Sequence, residues 1–316
     1  MGIRLLNSFL QSVYNNGSKI INLSDLEGKK IVIDASIYNY RFKSMGGLLE
    51  NMYLMCSIFR FYNIHPLFIF DGKADKNKYS TLQKRKEEKE IAKNEYNRLK
   101  ARINDLTDDE RDDIEEKMNK LRRKFIKISK DDICNIKYLL DSYGINYLDA
   151  PQEADELCAA LVIKGHAYAC LSEDTDMFAF GCPRILKYMS LVKHTAVIYN
   201  IDNVLNKLKI NFDDFQKLCI LSGTDYNFTK KNIFWFYNLF KKYSSSNDKD
   251  DFMKWLEKKK YITLQTYYEL KDIYRFYNKN PSDILNKISY LTIKNKKINN
   301  NGIKSVLKKE NFIFAY

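Results

Sequence analysis

The sequence is poor in the residue types that build zinc sites and disulfide frameworks. Its 316 residues include only six cysteines, scattered singly with no Cys-x-x-Cys pair. We therefore expect reduced core cysteines in an intracellular protein, not a zinc site or a disulfide framework. Only three histidines occur, and none lies in a His-Glu-x-x-His motif, so histidine-based metal or triad chemistry is not expected.

Long apolar runs are also missing. No run reaches the ~18 residues that would span a bilayer. The opening stretch MGIRLLNSFLQS is interrupted by polar residues and lacks a cleavage-site pattern, so we expect no signal peptide. We also expect no membrane partner, because no basic amphipathic helix with a strong apolar face occurs. The chain has an excess of positive charge, with a formal net charge of +13. A protein this basic usually binds a polyanion such as nucleic acid.

Two short apolar runs, of which the first is β-branched, each lead to an acid. The run Lys29–Ser36 presents Asp34, and the run His65–Gly72 presents Asp71. Helical periodicity between them predicts a βαβ unit, and therefore an α/β fold with a mostly parallel central sheet flanked by helices. Further strands are predicted at 145–148 and 167–172, and a hairpin at 184–189 and 195–199. In such sheets ligands bind beyond the carboxyl ends of the strands, where both acids would lie.

The character of the chain changes between residues ~73 and ~130, where charge dominates. Apolar residues there recur at helical spacing, first at Leu99, Ile103 and Leu106 and then from Ile114 to Phe125. Between the two runs, Thr107-Asp-Asp-Glu110 is a capping box that would start a new helix. We predict an inserted helical hairpin with basic residues at its root. The alternative is a solvated protrusion with no role.

The last third of the chain is predicted to be helical, aromatic and basic. Helices are expected at 232–243, 251–259 and 264–277, and the lysine- and asparagine-rich stretch 294–301 is expected to be a mobile tail.

Seven carboxylates occur at or just past the predicted strand ends and helix starts. They are Asp34, Asp71, Glu153, Asp155, Asp174, Asp176 and Asp225. Any one of them alone could be a helix cap or a surface charge. Together they would repel one another at a high desolvation cost, which a divalent cation removes. Oxygen ligands without Cys or His favour Mg²⁺ or Mn²⁺. Seven acids suit two ions, the arrangement that activates water and stabilises the leaving oxygen in phosphodiester cleavage.

The spacing of these acids also predicts local geometry. Asp174 and Asp176 would point the same way if their segment were extended. Glu153 and Asp155 cannot share a face of a regular helix, so we expect them at an irregular helix entrance after Pro151.

Several short motifs resemble the flap endonuclease family, the structure-specific 5′ nucleases. The order and spacing of the motifs agree over residues 1 to ~226. They are Met1-Gly-Ile3, Ile33-Asp-Ala-Ser36, Phe70-Asp-Gly-Lys73, Asp149-Ala-Pro-Gln-Glu-Ala-Asp155, Cys158-Ala-Ala-Leu161, Glu173-Asp-Thr-Asp176 and Cys219-Ile-Leu-Ser-Gly-Thr-Asp-Tyr226. The resemblance implies a PIN-like nuclease domain at 1–226, with a helical arch inserted at about 73–130. It leaves 227–316 as a helical DNA-binding region with a basic tail.

The resemblance also implies roles for single residues. Asp34, Asp71, Glu153 and Asp155 would hold one Mg²⁺, and Asp174, Asp176 and Asp225 the other, with Mn²⁺ able to substitute. Lys78 and Arg85 would contact the scissile phosphate at the base of the arch. Tyr40 would stack on a nucleobase beside the cut, although core packing is the alternative. Further DNA contacts are expected from Lys84, Arg123, Lys127, Lys230 and Lys231.

The sequence departs from the family in its last third. The family usually carries a Gly-Ile-Gly turn that grips duplex DNA and often a potassium ion, whereas residues 227–234 contain no glycine. This puts the potassium site in doubt and leaves Lys230 and Lys231 for duplex contact. The segment between Tyr40 and Asp71 is short, and the tail lacks the sliding-clamp pattern. These gaps fit a reduced, divergent member, such as one encoded by a large DNA virus, acting in the nucleus or at a cytoplasmic viral replication site.

The predicted activity is Mg²⁺-dependent hydrolysis of a DNA phosphodiester near a 5′ single-strand/duplex junction, in replication, repair or recombination. The expected partner is branched or flapped DNA. A 5′-3′ exonuclease, a Holliday-junction nuclease or an RNA-cleaving relative would use the same acids. A non-catalytic structure-specific DNA-binding protein is the alternative from another class, but it would be expected to lack one or more acids, and all seven are present.

Overall fold

The computed structural model of the chain describes residues 2–13, 19–73, 79–102, 108–246, 248–288, 293–310 and 312. The strands in these residues are β1 (Lys19–Asn22), β2 (Lys30–Asp34), β3 (His65–Phe70), β4 (Asn146–Asp149), β5 (Ala169–Leu171), β6 (Arg184–Ser190) and β7 (Thr195–Asn200). The first helices are α1 (Leu6–Val13), α2 (Ala35–Ser44), α3 (Leu48–Phe61), α4 (Tyr79–Arg102), α5 (Asp108–Lys124), α6 (Lys130–Tyr143), α7 (Ala154–Ile163) and α8 (Asp176–Ala179). The later helices are α9 (Ile201–Leu208), α10 (Phe212–Leu221), α11 (Ile233–Ser244), α12 (Phe252–Lys258), α13 (Leu264–Tyr277), α14 (Pro281–Leu285) and α15 (Asn300–Leu307).

The strands form one seven-stranded sheet in the order β1-β7-β6-β5-β2-β3-β4. Strands β6, β5, β2, β3 and β4 run parallel, and β7 and β1 add an antiparallel edge. The predicted α/β fold with a mostly parallel sheet is therefore confirmed. The predicted hairpin is β6 and β7, which pair antiparallel.

The register of the central strands brings their carboxyl ends to one edge. Asp34 of β2 pairs with Ile69 of β3, and Ile33 pairs with Leu171 of β5. Strand β2 is buried over its last four residues, as expected for a parallel strand covered by helices on both faces. The acids at the ends of these strands therefore lie at the same edge of the sheet.

Two compact units interleave along the chain. One lies within residues 1–35, 57–74 and 145–296 and contains the whole sheet, and the other lies within residues 36–56, 75–144 and 297–316. The proposed functional division at residue 226 stays a prediction. No helix in the described ranges is both long and apolar enough to cross a bilayer.

The core of the sheet-containing unit is one apolar cluster. It joins the sheet to helix α7 and to the later helices α10 to α13, so these C-terminal helices pack on the sheet. All six cysteines are free thiols, but the expectation that all of them lie in the core is wrong for one. Five of them are buried, whereas Cys134 is exposed on α6.

In the other unit, α4 and α5 pack on each other as the predicted helical hairpin. The seam buries Ala92, Met118 and Leu121. The Tyr96 and Phe125 rings lie 5.4 Å apart. The two helices are also joined by a salt bridge between Lys117 and Glu95. Thr107 of the predicted capping box lies outside the described residues, and so do Ile103 and Leu106.

The expectation of a mobile tail at 294–301 is wrong at its end. Helix α15 begins at Asn300 and packs on α6. The amide N of Asn299 donates to the carbonyl O of Ser142 at 2.7 Å. The physical reason is visible in the next residues, because Ile303, Val306 and Leu307 form a buried face at helical spacing that the lysine- and asparagine-rich composition hides.

Candidate active site

Asp34 lies next to the loop that follows β5, because β2 and β5 are paired in the sheet. Asp34 ends β2 and is 4% exposed. The hydroxyl Oγ of Ser172 donates to Oδ2 of Asp34 at 3.3 Å and accepts from the amide N of Asp174 at 3.1 Å. One serine therefore links two of the predicted metal ligands, which come from neighbouring strands.

The segment from Asp174 to Asp176 is not extended, so the predicted i, i+2 geometry is wrong. Thr175 has φ −83° and ψ −14°, and Asp176 begins the short helix α8. The carboxylate Oδ1 of Asp174 accepts from the amide N of Asp176 at 2.9 Å. Aspartate side chains commonly accept a hydrogen bond from the backbone amide two residues on. Here that bond joins Asp174 to Asp176 across a turn of the chain.

Asp225 joins this group from the loop after α10. It is buried, and its amide N donates to Oδ2 of Asp176 at 3.3 Å. The turn before it needs Gly223, whose φ of +92° favours glycine. A second donor to the same Oδ2 is the phenol of Tyr277, at 2.7 Å.

The remaining three acids surround the start of α7. Glu153 is the N-cap residue in extended conformation, and Asp155 lies in the first turn, as predicted for an irregular helix entrance. Oδ1 of Asp71 accepts from the amide N of Ala154 at 2.9 Å. Negative charge is stabilised there by the unpaired amides and the dipole of the helix.

Gly72 makes the α7 entrance possible. Its amide N donates to the carbonyl O of Gln152 at 2.6 Å. A Cβ at Gly72 would lie 1.9 Å from the carbonyl O of Ala150. Only glycine therefore lets the loop after β3 pack directly on the segment that leads into α7.

One phenol connects the two groups of acids. The hydroxyl of Tyr226, the residue after Asp225, donates to Oε2 of Glu153 at 2.7 Å. The site is thus one network that runs from the end of β2 to the start of α7.

Asp176 is the electrostatic centre of the network. Burial raises its pKa to about 8, with further contributions from Asp174 and Asp225. The hydrogen bonds from Tyr277 and from the amide of Asp225 act in the opposite direction. An acid whose pKa is strongly raised by burial and by neighbouring acids is typical of functional sites.

A buried lysine lies behind the acidic loop. Lys187 of β6 is fully buried, and its Nζ donates to the carbonyl O of Glu173 at 2.6 Å. Desolvation lowers the pKa of Lys187, while Glu173 and Asp174 act to raise it. Its ammonium group offsets part of the negative charge of this loop.

Gly2 packs against the same acids. A Cβ there would lie 2.2 Å from Oγ1 of Thr175, 2.6 Å from Oδ1 of Asp174 and 3.0 Å from Oδ1 of Asp176. The amide N of Ile3 donates to Oγ1 of Thr175 at 2.7 Å. A side chain at position 2 would therefore occupy space beside the carboxylates.

The residues fit a divalent cation by their chemistry. Within the described ranges, no three acidic, imidazole or thiol groups are close enough to hold a metal ion as they stand. The donor set is nevertheless all carboxylate, as Mg²⁺ and Mn²⁺ prefer. Oδ1 of Asp176 is buried and accepts no hydrogen bond from any described residue. A bound cation would satisfy this oxygen and lower the repulsion that raises the pKa of Asp176.

The predicted DNA-contacting residues lie on several elements. Tyr40 on α2 is 43% exposed, with Nζ of Lys89 5.4 Å from its ring centroid, so it is available for stacking. The remaining described members are Lys84 and Arg85 on α4, Arg123 on α5, Lys127 after α5, and the exposed pair Lys230 and Lys231 before α11. Lys78 lies outside the described residues.

Sequence reasoning missed the residues that orient the acids. Ser172 and Tyr226 lie next to predicted motif residues, and that adjacency was a usable signal. Lys187 could have been noticed as a charge inside a predicted strand. Tyr277 is 101 residues from Asp176, and no local pattern points to it.

Comparison with known proteins places this chain in a family. The XPG N-terminal domain model matches residues 1–92 and the XPG I-region model matches residues 144–225. Together the two segments cover more than half of the chain and contain all seven acids.

Two flap endonucleases are similar to this chain over most of its length. The chain is 30% identical to human flap endonuclease 1 over 244 residues, which are 72% of this chain and 62% of that protein. It is 32% identical to the Nematostella vectensis flap endonuclease 1 over 251 residues, 74% of this chain and 64% of that protein. The chain thus matches somewhat less than two thirds of the length of these relatives.

Among structures, the flap endonuclease-1 from Methanococcus jannaschii matches with a TM-score of 0.62 and 25% identity, covering 93% of this chain and 90% of that one. The catalytic core of Rad2 in complex with DNA substrate matches with a TM-score of 0.65 and 23% identity, covering 96% of this chain and 93% of that one, which supports the fold. The matching sheet, the seven acids at its edge and the two family models lead to one conclusion: the chain belongs to the flap endonuclease family.

Proposed function

We propose that the protein is a Mg²⁺-dependent structure-specific 5′ nuclease that hydrolyses a DNA phosphodiester near a 5′ single-strand/duplex junction. The observation that carries the proposal is the cluster of carboxylates at the carboxyl edge of the sheet, in which hydrogen bonds hold Asp34, Asp71, Glu153, Asp174 and Asp176. Such a costly cluster is explained by a cation and a phosphodiester, and the chain's excess of positive charge suits a DNA substrate.

We assign Asp34, Asp71, Glu153 and Asp155 to one ion and Asp174, Asp176 and Asp225 to a second. When bound, two Mg²⁺ ions would activate water and stabilise the leaving oxygen. The burial of Asp34, Asp176 and Asp225 would limit the access of bulk water to their oxygens. Ser172, Tyr226 and the α7 amide at Ala154 would keep the carboxylates oriented.

The remaining roles concern the DNA. We assign Lys78 and Arg85 to the scissile phosphate, where their positive charge would stabilise the transition state. Tyr40 is assigned to stacking beside the cut. Lys84, Arg123 and Lys127 are assigned to the single strand, and Lys230 and Lys231 to the duplex, so that the substrate is a branched or flapped DNA.

The test is cleavage of an end-labelled 5′-flap DNA by the full chain with Mg²⁺, read at nucleotide resolution. We expect a single cut at the junction or one nucleotide inside it, absent in EDTA and in Asp176→Ala. A ladder from the 5′ end of plain duplex would instead indicate a 5′-3′ exonuclease. Cleavage only of four-way junctions or of RNA would point to those relatives. Tight flap binding with no cleavage of any of these substrates would reject the proposal.

A further inference from the structure

Two phenol groups contact the carboxylates from the protein side. Tyr277, the last residue of α13, is 4% exposed, and its Oη donates to Oδ2 of Asp176 at 2.7 Å. The Oη of Tyr226 donates to Oε2 of Glu153, also at 2.7 Å. Each phenol therefore engages one oxygen of an acid assigned to a metal, and the two acids belong to different ions.

Aromatic packing fixes both phenols. The ring centroid of Tyr277 lies 4.6 Å from that of Phe180, and the ring centroid of Tyr226 lies 4.2 Å from that of Phe276. The two tyrosine rings are 5.8 Å apart and perpendicular. Rings held by several neighbours have little rotational freedom, so the direction of each hydroxyl is set by the packing.

The two oxygens of Asp176 are treated differently. Oδ2 receives donors from Tyr277 and from the amide of Asp225. Oδ1 is buried and receives no donor within the described chain. It lies 3.0 Å from the point where a Cβ on Gly2 would be. The carboxylate is thus held by one oxygen while the other faces the space that glycine leaves open.

We propose that Tyr277 and Tyr226 are positioning residues that orient Asp176 and Glu153 for divalent-cation binding, which makes α13 part of the active site. The inference rests on the proposed function, because it takes the acids to be metal ligands. Groups that hold a metal ligand in orientation contribute strongly to metal affinity. A phenylalanine would fill the same space, so the hydroxyl is the group whose role must be tested.

The chain offers a matched control on the same helix. Tyr274 also lies on α13, and its hydroxyl also donates to an aspartate, Oδ1 of Asp213. Asp213 is not one of the seven acids. Tyr274→Phe therefore removes a phenol–carboxylate hydrogen bond of the same kind without touching the site.

The experiment compares Tyr277→Phe, Tyr226→Phe and Tyr274→Phe with the wild-type chain. Mn²⁺ binding to the metal-free protein is measured without DNA, from the electron paramagnetic resonance signal of free Mn²⁺, and Tm is measured in EDTA. We expect the Kd for Mn²⁺ to rise about tenfold or more in Tyr277→Phe and Tyr226→Phe and to stay within about twofold of wild type in Tyr274→Phe. Cleavage by the first two variants should need more Mg²⁺ and approach the wild-type kcat when Mg²⁺ is saturating.

The outcomes separate this inference from the proposed function. Wild-type Mn²⁺ affinity in both Tyr277→Phe and Tyr226→Phe would overturn the inference alone. An equal loss of affinity in Tyr274→Phe would also overturn it, because the effect would then follow the stability of α13. No Mn²⁺ binding by the wild-type chain would overturn the proposed function, and the inference with it.

Discussion

At the scale of single residues, Asp176 contacts several other parts of the site. It lies against Asp174 and Asp225 and receives the phenol of Tyr277. We expect Asp176→Ala to lower flap cleavage by at least about 10³-fold, because the ion assigned to Asp174, Asp176 and Asp225 would lose a ligand. The Kd for flap DNA should stay within about threefold, measured by fluorescence anisotropy in Ca²⁺. Near wild-type turnover would show that the metal assignment is wrong.

The raised pKa of Asp176 predicts how stability depends on pH without metal. The folded chain keeps this proton up to a pH of about 8, whereas an unfolded aspartate releases it near 3.8. The folded state therefore binds more protons between these values, and this group makes the free energy of unfolding fall as pH rises, by up to about 1.4 kcal/mol per pH unit.

The measurement is urea unfolding in EDTA at several pH values between 5 and 8. Asp176→Asn, which cannot titrate, should remove most of the fall. Mg²⁺ should stabilise the wild-type chain more at pH 8 than at pH 5, because the cation competes with the proton. Parallel pH profiles for wild type and Asp176→Asn would contradict the assignment of the proton to this residue.

At the scale of elements, the loop after β3 and the start of α7 depend on one glycine. We expect Gly72→Ala to destabilise the protein by about 3 kcal/mol or more and to weaken Mn²⁺ binding, because its Cβ would meet the carbonyl O of Ala150 at 1.9 Å. Gly28→Ala is the matched control, since Gly28 has a φ of +68° and no atom within 4 Å of its Cβ position. It should cost about 1 kcal/mol and leave metal binding unchanged, as judged by urea unfolding and Mn²⁺ titration.

The elements also show what the sequence could predict. The positions of Asp34 and Asp71 at the same edge of the sheet were predictable, because parallel strands present their carboxyl ends at one edge. Asp174 and Asp176 were predicted with the wrong geometry, since the hydrogen bond that the amide of Asp176 donates to the Asp174 carboxylate has no signature in spacing alone. Tyr277 was not predictable, because its contact depends on the way α13 packs rather than on a motif.

At the scale of the whole molecule, the excess of positive charge predicts salt-dependent binding. Each phosphate neutralised contributes about 0.9 to the slope of log K against log salt on duplex DNA. We expect Lys230→Ala/Lys231→Ala to lower that slope by up to about 2, because both lysines are exposed at the start of α11. The control Lys207→Ala/Lys209→Ala removes the same charge from the end of α9, and an equal change in its slope would contradict a duplex site at 230–231.

The larger organisation was only partly predictable. The sheet and the inserted hairpin follow from periodicity, which is local. The second compact unit is assembled from residues 36–56, 75–144 and 297–316, and the packing of α15 on α6 depends on complementary surfaces far apart in the chain. Composition therefore predicted a mobile tail up to residue 301, although helix α15 begins at Asn300.

The distribution of the thiols has a practical consequence. Burial raises the pKa of Cys158 to about 11 and that of Cys170, Cys182 and Cys219 well above the usual range, and Cys56 is buried as well. Cys134 alone of the six is exposed. A maleimide dye should therefore attach at one position under native conditions, giving one label per chain without engineered cysteines. That label would lie on α6, in the unit that contains the helical hairpin, and would report on that unit when DNA is added.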